Sequence, residues 1–267
     1  MGLMAGKTAL IFGVANRNSI AWGIAQRLQE EGARIGISYA SATLLKRVQP
    51  LAESIGCDFI EPCDVTDDRQ IEAVFQKAQE RFGTIDTLVH SLAYAPREDL
   101  AGRMVDVSRD GFQQTLAISA YSLIALTRAA LPLMPAGGSI ISMTYYAAEK
   151  VIPRYNAMAI AKASLELITR YLAADLGAQQ IRVNAISAGA IKTLAAAGIP
   201  GFRDMLRFTQ QAAPLRSLVH QREVGDAALF LASDLSRQVT GEILHVDAGY
   251  HVLGSTITDE MMAQLKS

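Results

Sequence analysis

The chain has 267 residues, with 25 Lys and Arg against 26 Asp and Glu for a formal net charge of −1, and 50% of its residues are hydrophobic; this excludes wholesale disorder and argues against nucleic acid as the main partner. The two cysteines, Cys57 and Cys63, are too few for a disulfide scaffold and fit no zinc spacing, so reduced, buried thiols and no metal are expected. No apolar run approaches the roughly 20 residues of a membrane span, and the apolar stretch Thr8–Ala15 enters a polar loop as a strand does, not as a signal peptide does, so the expectation is a soluble cytoplasmic protein with no membrane contact.

Lys7–Gly13 is a compact apolar run ending in Gly, the pattern of a buried strand. After the polar loop Ala15–Ser19, apolar residues at Ile20, Ile24 and Leu28 predict a helix over Ile20–Glu31, closed by Gly32 in a left-handed cap. Arg34–Tyr39 alternates as a second strand, completing a βαβ unit. The pattern then repeats. Helices are predicted over Thr43–Ile55, Asp67–Phe82 (capped by Asp67 or Thr66), Arg109–Leu133, Arg154–Leu176 and Gln221–Ala232. Strands are predicted over Asp58–Cys63, Thr87–Ser91, Gly138–Thr144, Arg182–Ser187 and Glu242–Val246. Seven strands alternating with helices imply an α/β chain of one doubly wound, Rossmann-type domain over residues 1–267. Residues 188–216, rich in Ala, Gly and Pro, follow a strand's carboxyl end, where open α/β sheets bind ligands, and are read as a substrate-binding lid.

The first turn is suited to a pyrophosphate. Gly13 ends strand one and the helix starts near Ser19-Ile20-Ala21, so backbone N–H groups and the helix dipole face an anion. Gly23 lies in the first turn, where close approach of a cofactor favours Gly; the loop is longer than G-x-G-x-x-G, and the glycines could equally serve turn and packing. After strand two stands Ala40-Ser41-Ala42, with no carboxylate for a ribose and no immediate base for a 2′-phosphate, which favours NADH over NADPH. Lys46 and Arg47 either reach a 2′-phosphate or, the better reading, occupy a solvated helix face. Asp64 either accepts from an adenine amino group or starts the next helix. Tyr155 and Lys162, seven residues apart, share one face of the predicted helix about 10 Å apart along its axis. They can reach a substrate oxygen and a ribose, although a half-buried Tyr and a surface Lys give the same spacing. His90, at a strand end, reads as structural.

The segments GVANRNSIAWG (13–23), CDV (63–65), VHSLAYAP (89–96), YYAAEKVIPRYNAMAIAKASLE (145–166), RVNAISAGAIKTLAAAGI (182–199) and GEILHVDAG (241–249) resemble those of bacterial enoyl-acyl-carrier-protein reductases, a divergent branch of the short-chain dehydrogenase/reductase superfamily. The resemblance runs from about Lys7 to Gly249. Ordinary members of the superfamily carry Tyr-x-x-x-Lys; with Lys162 as the shared lysine, their tyrosine position is Met158 and their serine position is Tyr145. The resemblance therefore implies reduction of a C=C bond conjugated to a thioester, with Tyr155, Lys162 and Tyr145 as catalytic residues. It implies NADH held by Gly13, Ser19, Ile20, Asp64, Val65, Ser91, Leu92, Lys162, Ile191, Thr193 and Ala195, and substrate contacts from Ala95, Tyr145 and Tyr155. It also implies acyl-carrier protein as partner and a homotetramer. Two departures are noted: the family often has Gln at Ala40 and Gly at Ala93. A carbonyl-reducing dehydrogenase and a silent nucleotide-binding paralogue are the alternatives.

Overall fold

The computed structural model describes residues 2–193 and 202–254. Its strands are β1 (Thr8–Phe12), β2 (Arg34–Tyr39), β3 (Phe59–Pro62), β4 (Thr87–His90), β5 (Gly138–Thr144), β6 (Ile181–Ala188) and β7 (Ile243–Val246). They form one sheet in the order β3-β2-β1-β4-β5-β6-β7, and every pairing is parallel. The chain runs outward from β1 to β3, then returns to β4 on β1's other side. The carboxyl ends of β1 and β4 therefore border the crevice where such sheets bind ligands.

The helices are α1 (Ile20–Glu30), α2 (Ala42–Ser54), α3 (Asp68–Phe82), α4 (Arg97–Leu100), α5 (Arg109–Leu116), α6 (Ser122–Ala130), α7 (Asn156–Leu176), α8 (Phe202–Ala212) and α9 (Gln221–Ala232). The pleat sends alternate strand residues to opposite faces. Ala9 and Ile11 pack with α1, α2 and α9 on one face; Leu10 and Phe12 pack with α3, α6 and α7 on the other. Burial on both faces explains why β1 is an unbroken apolar run.

The expected strands and main helices are present with ends shifted by one or two residues, and α3 is capped by Asp67, whose side chain accepts from Arg69 N–H. Three features differ. The predicted helix over 109–133 is interrupted by a π turn at Ala117–Tyr121. Two helices, α4 and α8, were not expected; α8 lies inside the stretch read as a lid. The long segment Arg109–Leu133 is, by length and composition, apolar enough to cross a membrane, contrary to the sequence reading. Half of its apolar window is buried within the domain, and Leu123 and Leu126 are wholly buried there, so it serves as a core helix.

Gly23 corrects another expectation. A Cβ there would lie 2.4 Å from Gln221 Cβ, and one on Gly225 would lie 2.8 Å from Gly23 O. The glycine lets α1 and α9 cross in close contact and does not make room for a cofactor. Gly13 has φ +107, and a Cβ there would sit 2.1 Å from Ser91 O, so it both allows the left-handed turn and brings the ends of β1 and β4 together.

Candidate active site

Three polar contacts fasten α7 to β5. Lys162 Nζ donates to Met143 O at 2.7 Å, Thr144 Oγ1 donates to Glu166 Oε1 at 2.8 Å, and the hydroxyls of Ser142 and Thr169 pair at 3.2 Å. The helical spacing 162, 166, 169 is that of one face, so a single stripe of α7 meets three consecutive residues at the end of β5. Lys162 is 4% exposed. Its second contact is the Leu92 carbonyl at 3.5 Å, on the loop after β4. Burial pushes its ammonium down to about 8, against the opposing pull of Glu166.

Tyr145 follows β5 directly, and its ring meets that of Tyr155 at 5.1 Å and 55°. Tyr155 is the N-cap residue of α7, not part of the helix as predicted. Its neighbours Arg154 (φ +64) and Asn156 (φ +29) both occupy left-handed backbone, so the turn that aims Tyr155 is strained. Asn156 Nδ2 donates to the carbonyls of Leu100 and Gly102, tying that turn to the segment after α4. Burial holds the Tyr155 phenol well above its ordinary value, and pushes Tyr145 up to about 12. Both hydroxyls therefore stay protonated donors at neutral pH. Met158 is buried one turn into the helix.

The expected cofactor residues lie on the segments that follow the carboxyl ends of β1, β3, β4 and β6, at the start of α1 and on α7, with Ala195 excepted. Ser19 is buried, and its Oγ accepts from Ala15 N–H at 3.0 Å and Asn16 N–H at 3.1 Å, folding the loop so that α1's first turn faces the end of β1. Trp22 and Gly23 N–H donate to Ser19 O, and the N–H groups of Ile20 and Ala21 precede the helix's own hydrogen bonds. Ile20 is partly buried against the core of α1 and α9. Ser91 N–H donates to Phe12 O at 3.1 Å, keeping the two strand ends together. Asp64 Oδ1 accepts from Thr66 N–H and Oγ1, so it shapes the turn before α3, while the cap itself is Asp67. Val65 is buried in the core behind it. Ile191 is buried, and Thr193 N–H donates to Ile191 O at 2.8 Å beyond β6. Ala195 lies outside the described residues. Lys46 and Arg47 are exposed on α2, the solvated-face alternative.

Sequence reading missed two supports of this site. Within the π turn, Ser119 Oγ accepts from Tyr94 N–H at 2.9 Å and donates to Tyr94 O at 3.0 Å, pinning the loop that carries Leu92 and Ala95. One residue beyond that turn, Ser122 Oγ donates to Ile118 O at 2.6 Å and meets His90 Nε2 at 2.7 Å. Such π turns recur at functional sites, but no residue type marks them in a sequence.

Comparison with known proteins places these features in a family. The family model described as "Enoyl-(Acyl carrier protein) reductase" matches residues 13–251. The enoyl-[acyl-carrier-protein] reductase [NADH] 1 of Rhizobium meliloti is 52% identical over 97% of this chain and 95% of its own. Among solved structures, the enoyl-(acyl-carrier-protein) reductase of Anaplasma phagocytophilum in complex with NAD superposes with a TM-score of 0.92, at 48% identity over 95% of this chain and 97% of its own. That of Bacillus cereus with NADP+ and indole naphthyridinone gives 0.94, at 49% identity over 96% and 100%.

His90 generates a stability prediction. It is wholly buried, its Nδ1 has no hydrogen-bond partner among the described residues, and burial together with the Lys162 charge pushes it down to about 3. Unfolded, it titrates near its ordinary 6.5. Between these values the unfolded chain binds the extra proton, so stability present above pH 6.5 is lost as the pH falls toward 3. The loss is roughly tenfold in the folding equilibrium per pH unit. Urea midpoints measured from pH 6.5 to 4.5 are expected to fall more steeply in the wild type than in His90→Gln; parallel slopes refute the assignment.

Proposed function

This chain belongs to the enoyl-(acyl carrier protein) reductase family, and from that premise we propose that it reduces the C=C bond of trans-2-enoyl thioesters with NADH, in the assembly of fatty or related acyl chains. The observation that carries the reading is the pairing of Tyr155 with Tyr145 beside a buried Lys162, with Met158, not a tyrosine, one turn into α7. The residues fit a nicotinamide dinucleotide. An ammonium has three donors, and two carbonyls engage Lys162, which leaves one for a ribose hydroxyl. The first turn of α1 suits the pyrophosphate, and the end of β2, where Ser41 and Thr43 hydroxyls pair at 2.8 Å, offers no charge to a 2′-phosphate.

NADH, when bound, supplies the hydride that adds to the β-carbon of the enoyl thioester. Negative charge then develops on the thioester oxygen, and a proton taken up at the α-carbon completes the reduction. The protonated Tyr155 hydroxyl donates to that oxygen, and a donor positioned where charge appears lowers the barrier. The Lys162 ammonium holds the ribose and adds positive potential. Tyr145 lines the acyl site, packs the Tyr155 ring and limits its rotation. Ala95 and the pinned loop around it border the same site. Gly13, Ser19, Ile20, Ser91, Leu92, Ile191 and Thr193 form the cofactor's walls, with Asp64 and Val65 at the adenine end.

The substrate arrives on acyl-carrier protein, and the enzyme works in the cytoplasm. The lid over 188–216 covers the acyl chain, with α8 the helix among its described residues. That helix keeps Met205, Leu206 and Phe208 half-buried, and its root is tied by Leu215 N–H to Ala248 O at 3.1 Å. The active form is a homotetramer. Ile160, Leu167 and Tyr171 leave an exposed apolar stripe along α7, with Tyr121 on the neighbouring π turn, and a second copy covers it.

Four measurements test this reading. Tyr155→Phe keeps the ring and removes the donor, so kcat is expected to fall about 10²–10³-fold with crotonyl or longer enoyl thioesters. The wild type should consume NADH much faster with these than with 3-ketoacyl thioesters; faster turnover of the ketone overturns the assignment. Hydrogen exchange in α8 should slow when NADH and an acyl thioester bind together, and equal exchange removes the lid. Light scattering should give a tetramer that Leu167→Glu with Tyr171→Glu dissociates; a monomeric wild type refutes the apolar stripe as an interface.

A further inference from the structure

Glu166 is 5% exposed, and the chemistry above does not use it. It stands four residues after Lys162 on α7, one turn along the same face. The two side chains grip neighbouring residues of β5: Lys162 the carbonyl of Met143, Glu166 the hydroxyl of Thr144. The next residue is Tyr145, whose ring rests on Tyr155. No acidic side chain forms a direct ion pair with Lys162 among the described residues, although its charge is buried. Glu166 is the acid that acts on it through the short gap along the helix.

We infer that Glu166 is a positioning residue of the reaction: its carboxylate keeps the Lys162 ammonium charged and, through Thr144, fixes the end of β5 from which Tyr145 emerges. The inference rests on the role given above to Lys162 at the ribose.

The charged surroundings are consistent with this role. His90, from β4, feels the Lys162 charge and is itself held neutral by burial. Around Glu166 stand Arg170, one turn further along α7, His245 of β7, and Glu149 from the turn after β5. His245 Nε2 lies 2.9 Å from Glu149 Oε1. Burial raises the Glu166 carboxyl and Glu149 adds to this, while the Thr144 hydrogen bond, Arg170 and His245 oppose it. Burial drives the Lys162 proton off and the Glu166 charge retains it. With that charge removed, the ammonium loses its proton at a lower pH, and the third donor assigned to the ribose is lost with it.

Glu166→Gln tests this, because the amide oxygen still accepts from Thr144 while the charge is gone. Lys162 is followed by ¹³C NMR of lysine-labelled enzyme without cofactor or substrate, its signal assigned by loss in Lys162→Met. In Glu166→Gln its titration midpoint is expected to fall by about one pH unit. The alkaline limb of kcat/KM for NADH should move by the same amount, and activity should approach the wild type well below that limb. Glu166→Asp, which keeps a carboxylate, should hold the midpoint near the wild-type value and provides the comparison if the amide variant does not fold. An unmoved Lys162 midpoint in folded Glu166→Gln overturns the inference, whatever happens to the rate; so does a Glu166→Asp midpoint lowered as far as the amide's. Because the midpoint is read without a reaction, it is independent of the enoyl-thioester assignment, which fails separately if the wild type leaves NADH unoxidised.

Discussion

The buried ammonium of Lys162 is the constraint around which the site is arranged. A charge taken out of water is costly unless dipoles and opposite charge surround it. Here the carbonyls of Met143 and Leu92 and the field of Glu166 supply them. Each of those partners belongs to a different part of the fold: the end of β5, the loop after β4, and the next turn of α7. Satisfying one ammonium therefore fixes a strand, a loop and a helix relative to each other at the carboxyl edge of the sheet. Tyr145 and Tyr155 inherit their places from that arrangement, one leaving β5 and the other capping α7.

The cofactor crevice and the substrate side are held by different means. Around the crevice, the chain relies on backbone closeness. Gly13 accepts the Ser91 carbonyl where a Cβ would collide, and Ser91 N–H reaches Phe12. On the substrate side, irregular backbone is held by side chains. The π turn presents Ser119 to both polar groups of Tyr94, and Asn156 holds the strained start of α7 to the segment after α4. The regular elements provide rigidity, and the departures from regularity aim the groups.

Most of the fold was legible because its signals are local. Two-sided burial makes β1 an apolar run, and the left-handed glycines Gly32 and Gly83 mark the ends of α1 and α3. The candidate site residues were legible as well, but their geometry was not. The 154–176 periodicity extends smoothly through Tyr155; Asn156 is a residue type that tolerates positive φ, but nothing in Arg154 announces it. Gly23 read as space for a cofactor because its use, contact with Gln221 and Gly225, joins segments about 200 residues apart. Glu166 drew no reading at all for the same reason. A glutamate on an amphipathic helix is normally solvated, and only the packing of α7 on β5 buries this one.

The position of the tyrosine connects this geometry to the choice of bond. In carbonyl reduction, hydride arrives at the carbon that bears the oxygen, so the proton must be delivered to an oxygen one bond from that carbon. In the proposed conjugate reduction, hydride arrives at the β-carbon, and charge collects on an oxygen three bonds away. Under that proposal the stabilising donor moves outward while the lysine assigned to the ribose stays. Moving a tyrosine from position 158 to position 155 displaces its origin by about 4.5 Å along the helix axis, a distance of the right order for that extra reach. It also takes the residue off the helix and onto the cap, where the left-handed neighbours and the Tyr145 ring determine where the hydroxyl can go. The vacated position is filled by buried Met158, which has no proton to give. Under the proposed function, a hydroxyl so placed serves an oxygen remote from the hydride-accepting carbon, and the left-handed backbone on either side of Tyr155 fixes where that hydroxyl starts.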